Sequence, residues 1–195
     1  MRWFWWLGLI VLCPILGLWA YSYLTFPRDT TPTGAYLRLA IAVNKGDPAG
    51  FFAYTETEAQ HACYTIRDYR KQIVNAVRAS YPEPERSQTL AKYQDFADAP
   101  DGANVFGLYA KQMGWLERLR RDLSGIDHVE INGDRASVQT VRGTRYPFRR
   151  RDNGIWGITL FTAALTAEAE RAARDVAIVE QAARDYDRAR VAASK

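Results

Sequence analysis

Residues 126–165, IDHVEINGDRASVQTVRGTRYPFRRRDNGIWGITLFTAAL, allow few folds, because short runs of alternating apolar and polar residues are separated there by turns. The apolar positions are Val129 and Ile131, then Ala136, Val138 and Thr140, then Tyr146 and Phe148, then Trp156, Ile158 and Leu160. Spacing by two is the period of a strand with one face covered. Between the runs stand Asn132-Gly133-Asp134, Arg142-Gly143-Thr144 and Asp152-Asn153-Gly154, with the residue types that tight hairpins need for positive φ. The pattern predicts a meander of four antiparallel strands, one face buried and an arginine-rich face in water.

The rest of the folded unit reads as helices. Residues 27–34, PRDTTPTG, have the composition of a linker, and the domain is expected from residue 35 to residue 165. Tyr36, Leu37, Leu39, Ala40 and Val43 recur at helical spacing up to Gly46, after which Asp47-Pro48 can cap a second, short helix. Phe51, Phe52, Ala53 and Tyr54 form an aromatic cluster suited to a core. An apolar stripe of Ala62, Ile66, Tyr69, Ile73, Ala76 and Val77 predicts a helix over 57–79, with Thr57 as its cap. A further helix is expected over 85–97, and one continuous helix over 104–122 despite Gly107 and Gly114.

In front of this unit, residues 3–26 carry no charge. As a helix they would span about 36 Å at about 1.5 Å per residue, enough for a hydrocarbon core of about 30 Å. Trp3, Trp5 and Trp6 at one end and Trp19, Tyr21 and Tyr23 at the other have the spacing of two interfacial aromatic belts. Residues 1–26 are therefore read as a transmembrane signal anchor whose partner is the lipid bilayer. A cleaved signal is the rival reading, but the basic n-region is Arg2 alone and no small-x-small site precedes Phe26. A lipid anchor is excluded, because Leu12 precedes Cys13 and Pro14 follows it. Arg2 favours an N-terminus inside and a domain outside the cytoplasm, in the periplasm of a bacterial cell.

Chemistry is harder to read. The formal charge is +4, and the basic residues are interspersed with acids, which argues against nucleic-acid binding. His61 and Cys63 lack a third ligand, so no metal site is expected, and no cofactor motif occurs. His61 is expected as a partly buried helix residue. Arg149-Arg150-Arg151 is the sharpest basic feature and reads as a solvated strand edge.

Three short matches point to a family. Gly133-Asp134, Ala136 to Val138, and Gly154-Ile155-Trp156 resemble the turn and strand motifs of the nuclear-transport-factor-2-like superfamily, the cystatin-like cone fold; AIAVNKGDPAGFFAY resembles its first helices. The resemblance implies a curved sheet around helices, at times with a cavity used for small ligands or for isomerase or dehydratase chemistry. Residues 57–122 depart from it, with helices where early strands are common. The groups that could serve such a cavity are Asp127, His128 and Tyr146, though adjacent strand residues face opposite ways unless a bulge intervenes. No catalytic set is assigned.

The fold class expected is thus α+β: a transmembrane helix, a helix-rich cone-like domain ending in the meander, and a long C-terminal helix over 166–195. That helix carries a stripe of Leu165, Ala169, Ala172, Val176, Val179, Ala183, Tyr186 and Arg190. Residues 165–179 are expected to pack on the chain's own helices, leaving the part around Tyr186 for a protein partner or for solvent. The function expected is a non-catalytic binding or assembly module at a membrane. The alternatives are a ligand-binding or enzymatic cone-fold member, its small-molecule ligand unknown, and a structural partner acting through the C-terminal helix.

An anchor that stays attached has a direct consequence. Intact-mass measurement of the membrane-extracted protein is expected to give a chain beginning at or next to Met1, retained in the pellet after alkaline carbonate washing; a mature N-terminus beyond Phe26 would show cleavage instead.

Overall fold

The computed structural model describes residues 26–194, and these form an α+β domain of seven helices and one four-stranded antiparallel sheet. Among the described residues no helix is long and apolar enough to cross a membrane. The expected anchor, with Trp3, Trp5, Trp6, Trp19, Tyr21 and Tyr23, lies outside them.

Helix α1 (Pro32–Lys45) starts inside the segment expected as a linker. The Thr31 hydroxyl accepts from the Gly34 amide at 3.1 Å, Pro32 follows the cap, and Gly46 ends the helix at φ 66°. Residues 27–31 are tied to the sheet rather than free: Trp156 donates from its amide to the Asp29 carbonyl at 3.2 Å and from its indole to the Thr30 carbonyl at 3.1 Å. A Cβ on Gly34 would sit 1.9 Å from the Arg28 carbonyl oxygen, so this turn tolerates no side chain there.

Asp47 caps the short α2 (Pro48–Phe52), as its Asp-Pro pair predicts. Tyr54 to Glu56 then run beside the last strand, and α3 (Thr57–Ser80) follows with Glu56, not Thr57, at its N-cap. Tyr81-Pro82 ends α3, and α4 (Glu85–Ala97) lies against it. The single helix expected over 104–122 is two: α5 (Gly102–Gln112) and α6 (Trp115–Asp122). Gly114 separates them at φ 61°, a left-handed conformation that ends a helix and that glycine adopts without a Cβ clash. The break aims Trp115 at Phe161, with the rings stacked at 4.3 Å.

Strands β1 (Ile126–Asn132), β2 (Arg135–Thr140), β3 (Arg145–Arg150) and β4 (Trp156–Ile158) pair in sequence order. Val138, Tyr146, Phe148, Trp156 and Ile158 are buried as the alternation predicts, whereas Ile131 and Leu160 are 59% and 43% exposed. Ile131 lies near the end of edge strand β1, and Leu160 lies past the end of β4, so neither meets the helical layer.

Helix α7 (Thr162–Ala193) covers the sheet end and then follows α3. Arg70 contacts Asp175 and Ser80 contacts Asp187, so residue numbers rise together along both helices and the pair is parallel. Two apolar clusters result. The first gathers the sheet, α1, α2, α5, α6 and the near half of α3, and the second is a three-helix cluster of α3, α4 and α7.

The second cluster overturns the expectation for the distal helix. Ala183 is buried, the Tyr186 ring meets Tyr81 edge-on at 4.9 Å, and Ser80 donates to Asp187 at 2.9 Å. Alanine alone would bury little area, but the second cluster supplies Val74, Val77 and Tyr81 as its counterpart. Deleting residues 182–195 is therefore expected to lower the thermal midpoint by about 5–10 °C, from about 2–4 kcal/mol of lost packing. Deleting residues 188–195, of which 188–194 are all exposed, is expected to shift it by less than about 2 °C. Thermal denaturation of the two truncations checks both.

Candidate functional site

The first two turns of α7 present small residues on one face. Ala163, Thr166, Ala167 and Glu170 follow the i, i+3, i+4, i+7 spacing that keeps side chains on one side of a helix. Bulkier residues there would close onto the sheet. Instead a cleft of about 850 Å³ stands between this face and strands β1 to β3, a volume suited to one small organic molecule. Ile131, Ala136, Pro147 and Phe148 give it an apolar sheet-side wall, which accounts for the exposure of Ile131. Its polar groups include Ser137, Asn132, Arg135 and Arg149 from the sheet, and Glu56 and Glu58 from the start of α3.

Glu56 is the unusual member, a carboxylate only 4% exposed. Its amide donates to the Ile158 carbonyl at 3.1 Å, which fixes its backbone beside β4. Its carboxylate has one ion pair, a 3.5 Å contact with Arg149. Buried charge is costly without close partners, and the positive end of α3 offsets part of that cost. Across the cleft, the hydroxyls of Thr162 and Thr166 are buried and find no hydrogen-bond partner among the described residues. A second, smaller hollow of about 360 Å³ shares Glu56, Glu58 and Arg149 and is completed by Arg150, Arg151, Asp152 and His61.

The residues expected to serve a pocket stand elsewhere. β1 shifts register between Ile126 and His128, so Asp127 is a bulged residue, and the bulge brings its carboxylate 3.2 Å from His128 Nδ1. Glu130 takes the other ring nitrogen at 3.2 Å. Both Asp127 and His128 are exposed on the sheet edge, and neither lines the cleft. Tyr146 is in the core, 2% exposed and 5.5 Å from the Tyr36 ring, where burial pushes its phenol up to about 12. The three therefore do not converge.

His61 is exposed rather than half-buried, while Cys63, two residues further along α3, is fully buried. Burial pushes the Cys63 thiol up to about 12, so it is held as the protonated, unreactive form. Among the described residues no group of three His, Cys, Asp or Glu side chains could hold a metal ion. The sequence signal for the cleft was the run Thr162, Ala163, Thr166, Ala167, four small residues beside the larger Leu165 of the core stripe. Glu56 carried no signal, because it reaches the site through pairing with a residue distant in sequence.

No protein-family model, no curated protein and no solved structure matches this chain.

The Asp127 and Glu130 hydrogen bonds, the Asp127 bond foremost, hold the His128 pKa above its ordinary 6.5. The raised value means that the contact favours the folded state below 6.5 and that this contribution is lost as pH rises through the folded value. A proton NMR titration is expected to place His128 above 6.5 in the native chain and closer to 6.5 in Asp127→Asn. A midpoint unchanged by that substitution would count against the contact.

Proposed function

We propose that this domain is a non-catalytic binding module, held at a membrane by the uncharged stretch 3–26, and that the cleft between α7 and the sheet is where it binds. The observation that carries the reading is the cleft itself: an apolar wall, unpaired threonine hydroxyls and a buried carboxylate brought together by three separate chain segments. Its polar groups include no histidine or cysteine, and the one close acid–base contact in its lining joins the Glu56 carboxylate to the Arg149 guanidinium at 3.5 Å. Binding is therefore favoured over turnover.

The extracytoplasmic placement belongs to the same reading and rests on Arg2 before the apolar stretch. The cone-fold resemblance also enters here as a proposal. A meander whose buried face packs against α1 supports it, while the helical segment from α3 to α6 is what an ordinary member of that family would replace with strands. Recruitment of a partner by the C-terminal helix is the weaker reading, because its apolar stripe is used internally as far as Tyr186.

A cleft-filling variant tests the reading. Ala163 is exposed on the cleft wall, so Ala163→Trp is expected to block binding while leaving the core intact. In a thermal-shift screen of small organic molecules, a cleft ligand at about ten times its Kd adds about 1.4 kcal/mol, or about 3–5 °C. Such shifts are expected in the native chain and absent from Ala163→Trp; hits that survive the substitution would place binding elsewhere.

A further inference from the structure

We infer that the ligand of this cleft is an amphipathic organic cation, a single ammonium or amidinium group on an apolar body, with its charged end at Glu56 and Glu58. The inference rests on the cleft being the binding site and adds the chemistry of what it takes.

The carboxylates of the cleft are not equivalent. Glu130 is engaged by His128 at 3.2 Å, and Glu170 lies 3.9 Å from Arg174 on its own helix. Glu58 makes no ion pair among the described residues, and Glu56 makes only the 3.5 Å contact with Arg149, whose side chain is 42% exposed. Of the two, only Glu56 has a guanidinium partner. Both sit at the start of α3, a 24-residue helix, Glu56 as its N-cap residue and Glu58 in its first turn. The cleft lining as a whole sets four carboxylates, Glu56, Glu58, Glu130 and Glu170, against two guanidiniums, Arg135 and Arg149, while Arg150 and Arg151 border the same two α3 carboxylates from the adjoining hollow.

Hydrogen-bonding capacity points the same way. The hydroxyl of Thr162, a residue only 9% exposed, and that of Thr166 lack partners and can accept from a ligand N–H. An ammonium group donates three such bonds and accepts none, so it matches carboxylates and hydroxyl oxygens but not the guanidiniums. Arg135 is the one cation in the lining besides Arg149, its cross-strand neighbour in the β2–β3 register, and among the described residues it forms no ion pair with Glu56 or Glu58. From the charged end, Ile131, Ala136, Ala163 and Ala167 offer an apolar path for the body of the ligand.

Three probes of matched body test this on the full chain in non-ionic detergent: 3-phenylpropylamine, 3-phenylpropanol and 3-phenylpropanoate, titrated by calorimetry. Ala163→Trp serves as the blank for partition into detergent. The amine is expected to bind at least tenfold more tightly than the alcohol and the carboxylate more weakly than either. Glu58→Gln, at an exposed helix position, is expected to reduce the preference for amine over alcohol to threefold or less with an unchanged thermal midpoint. If the alcohol or carboxylate binds as well as the amine and Ala163→Trp abolishes it, the cation assignment is overturned and the cleft remains a binding site. If none of the three responds to Ala163→Trp, the cleft reading falls as well.

Discussion

The parallel bridge between Thr55 and Ile158 is the constraint from which the rest of the domain follows. The Ile158 amide donates to the Tyr54 carbonyl at 2.7 Å and the Glu56 amide to the Ile158 carbonyl at 3.1 Å. Two segments fixed side by side in the same direction then each turn into a helix, α3 at Thr57 and α7 at Thr162. Their parallel course is inherited from the bridge. Parallel neighbours need a long connection, and here it comprises α3 to α6 and the other three strands. The approach is close enough that a Cβ on Gly157 would lie 2.6 Å from the Thr55 carbonyl oxygen, so the residue between Trp156 and Ile158 has no room for a side chain.

Along the helix pair, the contact that divides the structure is Arg70 with Asp175. Arg70 is 5% exposed, lies 2.5 Å from the Asp175 carboxylate and stacks over Tyr93 at 4.5 Å. It falls between Ile66, in the sheet-side cluster, and Ile73, in the distal one. A buried pair of this kind contributes little net stability against an apolar replacement, while losing one partner costs about 3–5 kcal/mol. Its effect here is on register, since the observed alignment of α3 and α7 leaves neither charge unpaired.

The same arrangement creates the cleft. Because α3 and α7 begin next to each other, the acidic first turn of α3 meets the small-residue face of α7, and the strands β1 to β3 complete the wall. Each ingredient has a local cause that a reader of the sequence can find, the alanine and threonine spacing above all. Their convergence has none. Asp127, His128 and Tyr146 stood out because the cone-fold resemblance implies Asp, His or Tyr groups inside a cavity, yet a bulge sends the first two to the edge and the pleat sends Tyr146 to the core.

The sequence by itself determined the meander, its three turns, the caps at Asp47 and Gly46, and the helices over α3 and α4, because periodicity, capping and turn conformation act between residues a few positions apart. It also carried the stripe on the C-terminal helix, but not where the stripe would be used. Tertiary structure alone decided that Gly114 divides α5 from α6, that residues 27–31 dock on Trp156, that Tyr186 belongs to a second core, and that Glu56 lies in a cleft. Each of these depends on a partner far away along the chain, and burial, pairing and charge compensation are properties of the assembled contact rather than of either sequence that enters it.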